Sequence, residues 1–255
     1  LGLTPTVGEP LADKHILERI YCAKKYQNIT SIGFYSNLIS VQNFGAENII
    51  KSGLTDLVVS TSGFDEEMYQ RVYRSKQYKK MYKNLIDLIE INNKNNNPVN
   101  ISISMRSDKN EKETRSSIDY IKLTKILSPK KIDYKYRYDD WAGKISKIDL
   151  TGNMKLRNKN LTFRFSPCSE FFSGPHIYWN GDVGICGCRD VDAKELIIGN
   201  VKEKKLEQIW YNQNHLTLMD DFMDSPKQIC LKCSHYNNIS VLDPDLPKAR
   251  IASKI

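Results

Sequence analysis

Six cysteines occur in the 255 residues, and five of them are gathered late in the chain: Cys168, Cys186, Cys188, Cys230 and Cys233, with Cys22 standing alone. Cys230 and Cys233 form a C-x2-C pair, whose two thiolates can point at one metal from a tight turn. Cys186 and Cys188 follow a stretch that reads as a hairpin, whose end can bring further sulfurs to the same place. Spacing of this kind suits a structural zinc tetrad or an iron–sulfur cluster, and on spacing alone structural zinc is the reading it favours. Five thiols are one more than a tetrad needs, so one of Cys186 and Cys188, each the alternative to the other, is expected to be a bystander. His176, His215 and His235 are imidazoles near enough in sequence to be ligands, His235 foremost through Cys233-Ser234-His235, but a surface or hydrogen-bonded ring is the expectation for each. With no basic-then-apolar leader in view, disulfides are disfavoured and metal binding is read first.

Elements must position these sulfurs. Asn180-Gly181, flanked by residues 176–179 and 183–185, reads as a β-hairpin with a type I′ turn. A helix beginning at 206–210 is expected to run to Met223. Earlier in the chain, short β-branched runs alternate with helical periodicity. Residues 29–35 (ITSIGFY), 56–61 (DLVVST), 99–105 (VNISISM) and 132–138 read as strands. Ile16, Leu17 and Ile20 mark one helix, on which Cys22 is expected to be at least half-buried and functionless; residues 47–52 mark a second. In a third, Tyr78, Met81, Tyr82, Leu85 and Ile89 share a face opposite Lys79, Lys80, Lys83 and Asp87. Residues 116–127 complete the set. Repeated strand–helix units imply an α/β fold with parallel strands, and ligands at the strands' C-terminal ends.

Composition sets outer bounds. Hydrophobic residues make up 40% and charged residues 27%, the balance of a chain that folds rather than one that stays disordered. The net charge is +8, yet the excess lysines are interleaved with carboxylates, which argues for a solvated surface and against a nucleic-acid face. No run approaches the roughly 18 apolar residues of a membrane span, so no membrane partner and a cytoplasmic location are expected.

A family resemblance then connects these features. Gly8-Glu9-Pro10, at the end of the first extended run, resembles the GGEP motif of radical S-adenosylmethionine (radical SAM) enzymes. Tyr35-Ser36-Asn37 resembles their third-strand TNG position, and residues 59–65 (VSTSGFD) their fourth-strand ISLDGFD segment. The order Cys168, Trp179-Asn180-Gly181-Asp182-Val183, Cys186, Gly199-Asn200-Val201, Leu206-Glu207-Gln208-Ile209-Trp210 and Cys230-x2-Cys233 resembles the SPASM or shorter twitch domain, which holds an auxiliary 4Fe-4S cluster. Two positions depart from the pattern: Val7 replaces the first Gly of GGEP, and Ser62 the Asp of LDG.

What the resemblance implies is specific. The fold would be a partial (β/α)6 TIM-like barrel over residues 1–143, lacking its first strand region, followed by a cluster domain at 144–241 and an extended tail at 242–255. Gly8, Glu9 and Pro10 would meet the amino group of S-adenosylmethionine, Ser60 its ribose and Arg106 its carboxylate. Ser36 and Asn37 would line the site, and residues 141–143 would lie near the adenine. Cys168, Cys186, Cys230 and Cys233 would hold the auxiliary cluster. The Cys-x3-Cys-x2-Cys loop of the family's catalytic 4Fe-4S cluster is missing and is expected upstream of residue 1, so the chain alone is expected to be inactive. The implied activity is reductive cleavage of S-adenosylmethionine, with hydrogen abstraction from a peptide or sugar-type substrate, the auxiliary cluster passing electrons and a flavodoxin or ferredoxin as donor. The alternative is a non-catalytic α/β binding module with a structural zinc site made of four cysteines.

Overall fold

The structure, a computed structural model, describes residues 1–157, 166–187 and 189–237. It divides into two compact units: Leu1–Tyr138 with Ile148–Lys155, and Asp139–Lys147 with Leu156–Ile255. The boundary near residue 143 is therefore not a clean cut, because Asp139–Lys147 packs with the later unit and the chain then returns briefly to the first. The expected tail at 242–255 lies outside the described residues.

The first unit is built on a parallel sheet of β1 (Gly33–Ser36), β2 (Asp56–Ser62), β3 (Asn100–Arg106) and β4 (Ile132–Lys135), arranged in chain order. All three strand pairings are parallel, as the alternating runs imply. The described strands form an open four-stranded sheet, and a closed barrel is not seen. Leu1 and Leu3 extend its edge through backbone bonds to Gly33. The helices are α1 (Ile16–Lys24), α2 (Ala46–Lys51), α3 (Glu66–Tyr73), α4 (Tyr78–Lys94), α5 (Glu111–Arg115) and α6 (Ile118–Leu123). Register places Phe34, Leu57, Ile101, Val59, Ile103 and Ile132 on one face, and all are buried. The α4 stripe of Met81, Leu85 and Ile89 joins the same core. The loop after α4 is tied down by Asn92, which accepts from Val99 N and donates to Val99 O; Asn96 and Asn97 take the left-handed backbone that asparagine tolerates.

Three expectations need correction. The helix expected over 116–127 is shorter, α6 covering only Ile118–Leu123, with the Ser117 hydroxyl capping its start by accepting from Tyr120 N. The strand at 132–138 breaks in two, with β5 (Arg137–Tyr138) pairing instead with β6 (Lys155–Leu156). Cys22 is exposed, since α1 turns Ile16, Ile20 and Ala23 inward.

In the second unit, β7 (His176–Ile177), β8 (Asp182–Gly184) and β9 (Ile197–Asn200) form an antiparallel sheet. Around it lie α7 (Glu170–Ser173), α8 (Leu206–Ile209), α9 (Gln213–Asp224) and α10 (Gln228–Lys232). The hairpin is present, but its turn differs from type I′. Gly181 N donates to Tyr178 O, and of Asn180 and Gly181 only the glycine has positive φ (93°), so Trp179 and Asn180 occupy the corner. Trp179 is accordingly 96% exposed. The helix expected to run from 206 to 223 is interrupted at Tyr211 (φ 63°), and Asn212 caps α9 by accepting from His215 N. No helix among the described residues is long and apolar enough to cross a membrane.

Candidate metal centre and candidate ligand face

Each cysteine of the second unit is placed by identifiable local ties. Cys168 precedes α7, and its neighbour Ser169 donates its N–H to Asn237 O at 2.8 Å, while Tyr236 Oη donates to Ser166 O at 2.8 Å. Cys186 follows β8, where Ile185 N bonds Leu196 O. Cys230 lies in α10 and Cys233 caps it, with Cys233 N donating to Cys230 O at 3.2 Å. Ile229 N at the start of that turn donates to Glu195 Oε2 at 3.1 Å.

The outcome is one small cavity, about 30 Å³, walled by Cys168, Cys186, Cys230 and Cys233 together with Phe171, Leu196, Phe222, Ile229 and Tyr236. Two charged residues, Glu170 and Arg189, also reach it. Tetrahedral zinc would bring four sulfurs to about 3.8 Å from one another, given bonds of about 2.3 Å. Among the described residues no three His, Cys, Asp or Glu side chains are grouped so as to hold an ion. The four cysteines line that one cavity, and thiolates are ligands both for zinc and for iron–sulfur clusters. Cys188 lies outside the described residues.

Electrostatics at the wall are uneven. Burial pushes the Cys233 thiol up, while the N–H of His235, 3.2 Å from its sulfur, and the Arg189 guanidinium favour the thiolate that binds metal. Arg189 donates from Nη2 to Asp139 Oδ2 at 2.6 Å and lies 5.5 Å from the Trp141 ring centre. Nothing in the cysteine spacing pointed to Arg189 or Asp139; the one available signal was a cation placed beside the cysteine pair. The histidines are used otherwise. His215 is fully buried, accepts from Tyr211 N at Nδ1 and bonds Phe171 O through Nε2. His235 Nδ1 accepts from Arg157, and the His176 ring packs against Tyr178, 4.7 Å between centres. None of the three lines the cavity.

In the first unit, parallel sheets are usually apolar on both faces, yet the face opposite the helices carries Ser60, Ser62, Ser102, Ser104 and Arg106. At the C-terminal end of β1, Glu9 accepts from Ser36 Oγ (2.6 Å), Asn37 N (2.7 Å) and Leu11 N (3.2 Å), which joins three of the expected residues in one knot. Pro10 begins the short helical turn that Glu9 caps, and Gly8 supplies φ 131° just before it. Ser36 pairs with Val59, so it shares the helix-covered face and holds Glu9 rather than lining the serine face beside Ser60. Arg106, paired with Ser62, lies 5.9 Å from the Tyr138 ring centre. The hydroxyls of Tyr73 and Tyr138 are buried and have no hydrogen-bond partner among the described residues. Burial raises both phenols, and the charge of Arg106 opposes that rise. A guanidinium beside two unused O–H donors is a fitting receptor for a carboxylate. Residues 141–143, expected near an adenine, belong to the second unit.

Residues 168–234 match the SPASM family, described as an iron–sulfur cluster-binding domain. No curated protein matches the chain in sequence. Among solved structures, BtrN in complex with AdoMet and 2-DOIA is similar, with a TM-score of 0.51 and 14% identity over 91% of this chain and 70% of that one. SuiB of Streptococcus suis bound to its precursor peptide SuiA gives a TM-score of 0.44 and 16% identity, over 91% and 58%. SuiB bound to S-adenosylmethionine gives 0.43 and 14%, over 91% and 59%. This chain thus spans less than two thirds of SuiB. The likeness to BtrN is one of fold. The resemblance read from the sequence is borne out at that level: residues 168–234 form a SPASM domain, and the α/β fold is similar to that of BtrN.

Proposed function

We propose that this chain is the S-adenosylmethionine-holding and auxiliary-cluster-holding part of a radical SAM enzyme. The observation that carries the reading is the convergence of Cys168, Cys186, Cys230 and Cys233 on one apolar cavity within the segment that matches an iron–sulfur domain. Their thiolates would ligate a 4Fe-4S cluster, and the surrounding Phe171, Leu196, Phe222 and Ile229 would keep water from it. In the first unit, Arg106 with the Tyr73 and Tyr138 hydroxyls would take the carboxylate of S-adenosylmethionine, while Glu9, fixed by Ser36 and Asn37, would accept from its amino group. Ser60, on the serine face, would meet the ribose. When bound beside a reduced catalytic cluster, S-adenosylmethionine supplies a 5′-deoxyadenosyl radical that removes hydrogen from a substrate. The three-cysteine loop for that cluster is not among these residues, so the reading assigns this chain the holding of the cofactor, its orientation and the exclusion of water. A peptide or sugar-type substrate and a flavodoxin or ferredoxin donor belong to the same proposal.

The test is anaerobic reconstitution with iron, sulfide and zinc in competition. The expected product is brown, absorbs near 400 nm and carries roughly four irons per chain. Cys230→Ala and Cys233→Ala should abolish the colour, and Cys22→Ala should leave it intact. A colourless protein holding one zinc would establish the binding-module reading instead.

A further inference from the structure

We propose that Arg189 tunes the cluster of the second unit, raising its reduction potential by presenting a fixed, buried positive charge at the cavity wall. The inference rests on the reading of that cavity as an iron–sulfur site. Arg189 is only 9% exposed. Its guanidinium is held from behind, by Asp139 at 2.6 Å and by the face of Trp141, and Asp139 is itself fixed by accepting from Trp141 N at 2.7 Å. The next residue locks the backbone, since the Asp190 carboxylate accepts the N–H groups of Lys194, Glu195 and Leu196, and Asp190 O accepts from Tyr178 Oη. The arginine therefore has little freedom to swing into water.

Its surroundings make the charge count. The other wall residues are cysteines and apolar side chains, apart from Glu170, which is half-exposed and so better screened. On reduction, such a cluster accepts one electron from an external reductant; no bond forms or breaks, and with four thiolates the net charge moves from two negative to three. A fixed cation stabilises the more negative state. Net charge and surroundings are among the levers that set such potentials. Asp139, of opposite sign and 13% exposed, works against it. The pair thus has a sign-resolved signature that a packing role lacks.

The experiment is a dithionite titration with redox mediators, followed by electron paramagnetic resonance, on the reconstituted full chain, Arg189→Gln and Asp139→Asn. Arg189→Gln should weaken the cluster's electron affinity tenfold or more, a fall of about 59 mV or more for a one-electron couple. Asp139→Asn should shift the potential upward. An unchanged potential in Arg189→Gln at full iron content, or shifts of the same sign in both variants, would overturn the tuning role. If Arg189→Gln takes up no iron, Asp139→Asn decides alone: a rise supports the proposal, and no change or a fall overturns it. If the unaltered chain itself assembles no cluster, the failure lies with the iron–sulfur reading and is visible before any variant is compared.

Discussion

The two units face the same problem, removal of apolar surface from water, with unequal means. The sheet unit buries twenty-eight side chains in one cluster running from Leu11 to Ile132, fed by period-2 strands and the 3.6-period stripe of α4. Among its described residues the cysteine unit gathers eight in its core cluster, among them Phe171, Val183, Leu196 and Phe222, and its cavity is lined in part by that cluster. A core of that size rarely sustains a fold without a disulfide, metal or cofactor. The cysteine unit is then expected to depend on what its thiolates hold, whereas the sheet unit is not.

The largest effect that would test this contrast is removal of the metal. A chelator that strips the cluster should collapse amide-exchange protection across β7 to β9, because binding free energy at such sites is folding free energy. Protection across β1 to β4 should persist. Equal protection of both units after stripping would break the comparison. Next comes Leu85→Ala in the fully buried stripe of α4, which should cost the sheet unit about 2–5 kcal/mol, read as a fall in its melting temperature. Third is Gly187→Ala. An added Cβ there would lie 2.0 Å from His176 Nδ1, a ring already boxed in by Tyr178. Overpacking of this kind costs about 1–3 kcal/mol, and next to Cys186 it should also lower iron uptake in reconstitution.

The smallest effect concerns pH. Burial lowers the pKa of His215 from its ordinary value of 6.5, with the bond to Phe171 O opposing the shift. Below that value the unfolded chain binds the proton and the folded chain resists it, so the histidine's contribution is full above about pH 6.5 and is lost as pH falls further. The slope cannot exceed about 1.4 kcal/mol per pH unit for one proton. A denaturation series from pH 7.5 to about 5 should show this slope in the unaltered chain and not in His215→Gln. A slope that survives in His215→Gln would assign the acid sensitivity to another group.

Most of the sheet unit could be read from the chain because its strands follow one rule: alternate residues share a face, and Leu57-Val58-Val59 or Ile101-Ser102-Ile103 display it locally. Boundaries failed where a single polar side chain decided them, as at Ser117 and Asn212, which start helices by capping. The helix α3 also escaped, although Asp65 before Glu66-Glu67 is a helix-start signal. The site was legible in part. Sulfur spacing gathered five cysteines late in the chain, the family resemblance chose Cys168, Cys186, Cys230 and Cys233 among them, and all four line one cavity. Tyr73, Tyr138, Asp139 and Arg189 carry no spacing signature. They matter through position alone, and only the folded chain brings Asp139 to Arg189.

Strand order in the sheet unit bears on how the chain is made. Because β1, β2, β3 and β4 pair in the order of synthesis, each new strand finds its partner already in place, and the sheet can grow as the polypeptide leaves the ribosome. The cysteine unit cannot proceed this way. Ser234 Oγ donates to Asp140 Oδ1 across 94 positions, and that closure must wait until almost the whole described chain has emerged. On the proposed function, cluster delivery would then be a late event, acting on a chain whose first unit has already folded, and the interval before it is when the unligated thiols would be most open to oxidation.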